Sequence, residues 1–172
     1  MWRRQGERFA QCSVLERDRW GGGSLMVWGG IHRGGKTQLL FIDGSLTARR
    51  YVDEVLRPEV VPYVQRQGLT LQQDNARPHA ARLTQAYLEA EGIEVLPWPP
   101  YYPDLSPIEH LWDALDKKIR SRDPPPQTLR QLRVALQEEW NAFPQVRIDT
   151  LVNSMRRRCA AVRQAHGGHT RY

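Results

Sequence analysis

Cysteine is scarce in this sequence, which has only Cys12 and Cys159 among its 172 residues. Two thiols so far apart in the chain cannot supply a disulfide framework or a cysteine-rich zinc site. We expect both cysteines to be reduced, as is usual for intracellular proteins. A chain of this length is sufficient for one domain with its own hydrophobic core, or for one domain with a helical tail.

Long hydrophobic runs and excess negative charge are missing as well. No apolar stretch approaches the ~20 residues of a membrane span, and none follows the basic start of the chain, so neither a membrane partner nor a signal peptide is predicted. Lys and Arg number 25 against 19 Asp and Glu, which gives a net charge of +6. This balance suits an anionic partner, most commonly nucleic acid. A soluble basic protein without such a partner is the alternative.

Hydrophobic periodicity divides the chain into strands and helices in the order β-β-α-β-α-β-α-α-α. A tight turn at Gly34-Gly35 joins the first two strands into an antiparallel hairpin, because glycine accepts the positive φ that such turns need. Pro58 and Pro62 should kink or end the first helix. The predicted strands cover residues 25–32, 37–42, 69–73 and 93–96, and the predicted helices begin near Thr47, Ala80, Ser106, Leu129 and Ile148. This order implies an α/β fold in which helices flank a mixed sheet.

Asp74 and Glu109 are the candidate catalytic and metal-binding residues. Asp74 follows the predicted strand at 69–73, and functional residues gather at the carboxyl ends of strands in α/β sheets. Glu109 lies at the start of the helix that begins near Ser106. Carboxylates of this kind hold Mg²⁺ or Mn²⁺ beside a phosphodiester, because these hard cations prefer oxygen ligands. The pair therefore indicates phosphoryl transfer on DNA, although such sites usually use a third carboxylate, which we do not find in the sequence.

The residues around this pair also have structural interpretations. Ser106 and Glu109 have the spacing of a capping box, in which the glutamate bonds a free N–H at the helix start. Asp74 can equally close a turn after its strand. His79 and His110 neighbour the two carboxylates and could contact phosphate or transfer protons, with a purely structural role as the alternative. The residue types alone leave these alternatives open.

Two basic clusters are candidates for contacts with DNA. Arginine forks match phosphate geometry and can bind the DNA backbone without reading its sequence. A solvated helix face is the alternative for both clusters. The candidate contacts are Lys117, Lys118 and Arg120 beside the acidic site, and Arg156, Arg157 and Arg158 near the C-terminus. The aromatic loop at residues 98–102 could stack on unpaired bases, pack onto the core, or bind a partner domain as a proline-rich ligand.

Two longer motifs contain the candidate carboxylates, namely residues 71–79 (LQQDNARPH) and residues 98–112 (WPPYYPDLSPIEHLW). Thirty-four positions separate Asp74 from Glu109. Together these blocks resemble the catalytic domain of mariner-superfamily (Tc-like) DDE transposases, and the spacing is that of the Tc-like branch. Further stretches that resemble the family are residues 26–31, 41–44 and 155–172. The resemblance covers nearly the whole chain.

This resemblance implies an RNase H-like fold and cut-and-paste DNA transposition in the nucleus. Transposon ends and target DNA would be the partners, with a homodimer at paired ends. By motif position, Asp74 matches the family's second catalytic acid and Glu109 matches the third. The first catalytic Asp of the family lies on an opening strand that precedes the segment with which this chain begins. No convincing substitute is found among Asp18, Asp43 and Asp53.

We therefore predict an RNase H-like catalytic domain over residues 1–122 that lacks its first strand. Residues 123–172 would form a helical, basic C-terminal extension of the same domain. The complete protein would carry out metal-dependent DNA cleavage and strand transfer, if the first Asp is supplied upstream. The alternative is a non-catalytic nucleic-acid-binding remnant of a transposon. A third hypothesis is a protein-interaction module that uses the loop at 98–102.

Overall fold

The computed structural model describes residues 24–99 and 105–164. The predictions that concern Cys12, Asp18, residues 100–104 and residues 165–172 lie outside this part of the chain. The strands are β1 (Met26–Trp28), β2 (Ile31–His32), β3 (Gly35–Lys36) and β4 (Leu40–Ile42). The helices are α1 (Ala48–Arg50), a π-helix (Tyr51–Val60), α2 (Val61–Gln67), α3 (Arg77–Ala80), α4 (Arg82–Ala90), α5 (Pro107–Arg120), α6 (Leu129–Ala142), α7 (Gln145–Asn153) and α8 (Met155–Gln164). None of these helices is long and apolar enough to cross a membrane.

The described residues divide into two compact units. The first unit contains residues 26–29 and 40–99, and therefore Asp74. The second contains residues 24–25, 30–39 and 105–164, and therefore Glu109. The predicted division into a catalytic domain that ends at residue 122 and a C-terminal extension stays a prediction.

The predicted hairpin is present as two antiparallel ladders. In the first unit β1 pairs with β4, so that Met26 lies opposite Ile42. In the second unit β2 pairs with β3. The predicted turn is displaced by one residue, because Arg33 and Gly34 form the turn and Gly35 is already paired in β3. Gly34 supplies the positive φ, at +91°.

The first helix does not end at Pro58, so that part of the prediction was wrong, whereas the predicted kink stays a prediction. Thr47 caps α1, as expected, with its hydroxyl accepting the N–H of Arg50 at 3.3 Å. The chain then stays helical through Pro58 by adopting a π-helix, in which Val61 donates to the carbonyl of Leu56 five residues earlier. Proline in an α-helix crowds the carbonyl four residues before it and removes a donor, and the wider π turn accommodates both effects. The buried side chains of this segment are Tyr51, Val52, Val55, Leu56, Val60, Val61 and Val64.

The predicted strands at 69–73 and 93–96 are reduced to one parallel bridge between Leu71 and Val95. Leu71 donates its N–H to the carbonyl of Glu94, and Leu96 donates to the carbonyl of Leu71, both at 2.8 Å. Beyond Leu71 the chain enters the turn that contains Asp74. The prediction of full strands was therefore wrong in extent, while the contact between the two segments exists.

The second unit is built on the apolar face of α5. Its predicted stripe is buried at every position, namely at Ile108, Leu111, Trp112, Leu115 and Ile119. Trp112 stacks on Trp140 of α6 with ring centroids 5.3 Å apart. The indole N–H of Trp140 donates to the carbonyl of Thr37, just beyond β3, at 2.9 Å. The single helix predicted near Ile148 is instead two helices, α7 and α8, which are separated at Ser154.

Candidate functional site

Asp74 lies shortly after the Leu71–Val95 bridge, and two donors converge on its Oδ1 atom. The backbone N–H of Ala76 donates to Oδ1 at 3.0 Å, which closes a local turn. The Nδ1 atom of His79 lies 2.6 Å from the same oxygen. The Asp74 side chain nevertheless remains 19% exposed. Asp74 thus fills the structural role of a turn residue and still offers a carboxylate to solvent.

His79 is the buried partner of this carboxylate. Its side chain is only 1% exposed, and its ring lies against Tyr51 with centroids 4.5 Å apart. An ionised carboxylate only accepts hydrogen bonds, so Nδ1 must carry the proton and donate it to Asp74. Burial of the ring favours the structural alternative for His79 over direct contact with phosphate. The structure therefore brings Asp74 and His79 together as a hydrogen-bonded pair.

Two further contacts organise the surroundings of Asp74, and sequence reasoning missed both. The hydroxyl of Tyr51 donates to Oε1 of Gln73 at 2.9 Å, and the amide of Asn75 donates to the carbonyl of Trp98 at 3.1 Å. A cavity of about 380 Å³ lies beside Asp74. These pairs are more than 20 residues apart in the chain. No local pattern in the sequence signals them.

Glu109 lies in the first turn of α5, within the second unit, and is half-buried. Its backbone N–H donates to the carbonyl of Ser106 at 3.3 Å. Ser106 is the N-cap residue, but its hydroxyl makes no capping hydrogen bond. The serine half of the predicted capping box was therefore wrong. A carboxylate in the first turn is nevertheless favoured by the positive end of the helix dipole. His110 follows Glu109 and is also half-buried.

Within residues 24–99 and 105–164, no three His, Cys, Asp or Glu residues form a group that could hold a metal ion. The assignments of Asp74 and Glu109 as metal ligands stay predictions that rest on their motif positions and on their carboxylate chemistry.

Most basic residues near the end of α5 already have acidic partners. Lys118 lies 3.2 Å from a carboxylate oxygen of Glu139, and Arg120 lies 2.9 Å from Asp116. Hydrogen bonds from Arg122 hold the pKa of the Glu139 carboxyl below its usual value. These ion pairs lower the net positive charge that this end of the helix presents. Lys117 is exposed beside them.

The arginines of α8 differ in their accessibility. Arg156 and Arg157 are exposed, whereas Arg158 is only 3% exposed. Arg158 donates from Nε to the hydroxyl of Ser154 at 2.7 Å, which ties α8 to the end of α7. Burial favours a structural role for Arg158. Arg156 and Arg157 stay predicted DNA contacts.

Comparison with known proteins defines the class of the chain. A sequence model of the DDE superfamily endonuclease family matches residues 1–133. The chain belongs to this family.

The similar sequences include transposases of Caenorhabditis transposable elements. The transposable element Tcb2 transposase of Caenorhabditis briggsae is 33% identical over 170 residues, which cover 97% of this chain and 61% of that protein. The Tc3 transposase of Caenorhabditis elegans is 30% identical over 162 residues, which cover 92% of this chain and 49% of that protein. The chain thus spans between about half and three fifths of the length of these relatives. The predicted relationship to the mariner superfamily is confirmed.

The solved structures with the same fold include the catalytic domain of Mos1 mariner transposase. That domain, bound to Raltegravir with Mg, matches with a TM-score of 0.74 at 20% identity over 85% of this chain and 77% of the Mos1 chain. The Mos1 strand transfer complex matches with a TM-score of 0.74 at 22% identity over 99% of this chain and 50% of the Mos1 chain. At this level of identity the likeness establishes the fold. The predicted RNase H-like α/β architecture is therefore confirmed.

Proposed function

We propose that this chain is the catalytic-domain part of a DNA transposase, in which Asp74 and Glu109 serve as metal-binding carboxylates. The observation that carries the proposal is that the Asp74 side chain is both held in place and partly exposed. It lies in a chain that belongs to an endonuclease family. Two hydrogen bonds fix its carboxylate, yet the side chain remains 19% exposed. A fixed and accessible carboxylate suits a metal ligand, because a ligand must be held in place and still be reached by the substrate.

The donor atoms fit Mg²⁺ or Mn²⁺. Asp74 and Glu109 offer carboxylate oxygens, which these hard cations prefer over nitrogen or sulfur. Structures of the Mos1 catalytic domain with Mg and with Mn support the use of such a cation in this fold. A bound divalent cation supplies charge neutralisation at the phosphodiester and a stronger oxygen nucleophile. The contribution of the chain is to hold the carboxylates in place and to bind the DNA backbone.

The exposed basic residues would bind that backbone. Lys117 on α5 and Arg156 and Arg157 on α8 are all exposed. Lys118 and Arg120 could add to this surface by exchanging their carboxylate partners for phosphate. Such contacts position DNA without selecting a base sequence.

The reaction, the oligomeric state and the location in the cell are proposed by analogy with similar proteins. Mos1 has been solved as a paired-end complex with a transposon end and as a strand transfer complex. By analogy we propose DNA cleavage at transposon ends, in which water cleaves a strand and the freed 3′ hydroxyl attacks target DNA. A homodimer would hold the paired ends, and the protein would act in the nucleus.

A non-catalytic DNA-binding remnant is the second candidate function. The exposed Lys117, Arg156 and Arg157 favour it, because they would bind phosphate whether or not Asp74 holds a metal. This candidate predicts salt-sensitive DNA binding without strand cleavage.

Nicking of supercoiled plasmid in Mn²⁺, measured beside DNA binding, tests both functions. We expect the complete protein to nick, and we expect Asp74→Asn and Glu109→Gln in that protein to abolish nicking while DNA binding persists. Asp113→Asn is the matched control, because it removes one exposed negative charge from the same helix as Glu109. Nicking that survives both site variants would reject these residues as ligands. Binding without any nicking by the unaltered complete protein would support the remnant instead.

A further inference from the structure

We propose that His79 is a positioning residue for the metal site, and that its imidazole holds the Asp74 carboxylate in the orientation that binds the cation. The inference rests on the function proposed above, since it takes Asp74 to be a metal ligand. It assigns a role to a side chain that would not itself touch metal or DNA.

The first support is the geometry at Oδ1 of Asp74. The separation of 2.6 Å from Nδ1 of His79 is slightly shorter than the usual nitrogen–oxygen hydrogen bond. The N–H of Ala76 reaches the same oxygen at 3.0 Å. Two donors on one oxygen fix both the rotation of the carboxylate and the direction of its lone pairs.

The second support is that the imidazole cannot easily move. His79 lies on α3, where its backbone N–H donates to the carbonyl of Ala76 at 2.9 Å. Its ring packs against Tyr51, which is 1% exposed. The Tyr51 hydroxyl in turn donates to Gln73, the residue directly before Asp74. A continuous series of contacts therefore runs from Asp74 through His79 and Tyr51 to Gln73, the chain neighbour of Asp74.

The third support is a hydrogen bond to the residue that precedes His79. Thr84 of α4 is fully buried, and its hydroxyl donates to the carbonyl of Pro78 at 2.6 Å. This bond anchors the residue that precedes His79 without touching Asp74. The backbone of α3 is thus fixed independently of the carboxylate. The imidazole of His79 links this fixed backbone to the Asp74 carboxylate.

A buried histidine can also be merely a satisfied core residue. The turn at Asp74 already has a donor in Ala76, so the turn itself does not require the imidazole. If His79 only filled space, an apolar side chain of similar size would serve as well. A positioning role makes a different demand, because partners that orient a ligand typically change metal affinity by about 10–100-fold when they are removed.

The test is Mn²⁺ affinity, measured by isothermal titration on the full chain and on single-site variants. We expect His79→Leu to weaken Mn²⁺ binding by about 10–100-fold, because the donor to Asp74 is lost. His79→Asn should recover most of the loss, since the asparagine amide can occupy the position of Nδ1. Thr70→Val is the control, because it removes a threonine hydrogen bond, to Glu94, that lies outside the contacts around Asp74 and His79. Its Mn²⁺ affinity should equal that of the unaltered chain.

The possible results separate this proposal from the function on which it rests. A chain that binds no Mn²⁺, or an Asp74→Asn variant that binds it as tightly as the unaltered chain, would reject Asp74 as a ligand and both proposals with it. Loss of binding in Asp74→Asn but full affinity in His79→Leu would reject only the positioning role.

Nitrogen NMR of the unaltered chain gives a second readout that does not depend on how the variants fold. We expect the His79 ring to be protonated at Nδ1, with a proton resonance that shifts when Mg²⁺ is added. A ring protonated only at Nε2 would overturn the proposal.

Discussion

The stacked pair Trp112 and Trp140 offers a sharp test of how α5, the helix that carries Glu109, is held in its unit. Both indoles are almost fully buried, but their N–H groups differ. Trp140 donates to the carbonyl of Thr37 at 2.9 Å. The N–H of Trp112 finds no acceptor among the residues that the structure describes. Replacing each tryptophan by phenylalanine should therefore have unequal effects on stability.

The magnitudes follow from the area and the hydrogen bond. An indole buries roughly 50 Å² more than a phenyl ring, which is worth about 1 kcal/mol at about 25 cal/mol per Å². In Trp140→Phe the carbonyl of Thr37 also loses a buried donor, which adds about 1–3 kcal/mol. In Trp112→Phe the loss of area is offset by removal of an unpaired N–H, so we expect about 1 kcal/mol or less. Trp140→Phe should be the more destabilising by about 1–3 kcal/mol.

Urea unfolding measures this difference directly. With a slope of about 2 kcal/mol per molar urea, a difference of about 2 kcal/mol separates the two midpoints by about 1 M. Equal slopes for the two variants would show that the change lies in the folded state. A Trp112→Phe variant as unstable as Trp140→Phe, or less stable, would refute the hydrogen-bond argument.

Two other predictions concern charged residues. Because Arg122 lowers the pKa of Glu139 in the folded state, this pair stabilises the fold above pH 4.5, and the contribution is lost as pH falls through the lowered pKa. Urea unfolding from pH 6 to pH 3 should thus show the stability gap between the unaltered chain and Glu139→Gln closing below pH 4.5; a gap that does not change with pH would contradict this assignment. Arg157→Gln should weaken DNA binding and reduce its salt slope by about 1 in fluorescence anisotropy titrations. Arg158→Gln should instead lower the unfolding midpoint, because Arg158 is buried against Ser154; the opposite pattern would assign the DNA contact to Arg158.

Secondary structure and burial were predicted best from the sequence where the local pattern and the tertiary packing favour the same conformation. The apolar stripe of α5 repeats at helical spacing, and all five of its members are buried. Thr47 caps α1 because the capping hydrogen bond needs only neighbouring residues. The same local rules failed at Pro58, where burial of Tyr51, Val55 and Leu56 keeps the segment helical and the backbone widens into π turns. Tertiary packing thus overrode a local preference.

The candidate site shows the same division between local and long-range information. Asp74 was found from its motif, and His79 lies only five residues away, so their contact is short-range. The Tyr51–Gln73 bond spans 22 positions and depends on how the π-helix packs against the turn. The predicted strand at 69–73 failed for a related reason, since strand pairing is decided by a partner segment distant in the chain. Resemblance to a family marked Asp74 as a candidate ligand, and only the structure shows which contacts hold its side chain.

The two interpretations of Glu109 can now be separated by one substitution. Glutamine serves in a capping box as well as glutamate does, because either side chain can accept the N–H at the helix start. A purely structural Glu109 would therefore tolerate Glu109→Gln, with a change in stability within about 0.5 kcal/mol and no further effect. A metal ligand would not, since a neutral amide oxygen binds a divalent cation much more weakly than a carboxylate. In the complete protein, a stable Glu109→Gln variant that still binds DNA but no longer nicks it would therefore assign Glu109 to the chemistry. Unchanged nicking in the same chain would assign it to the helix.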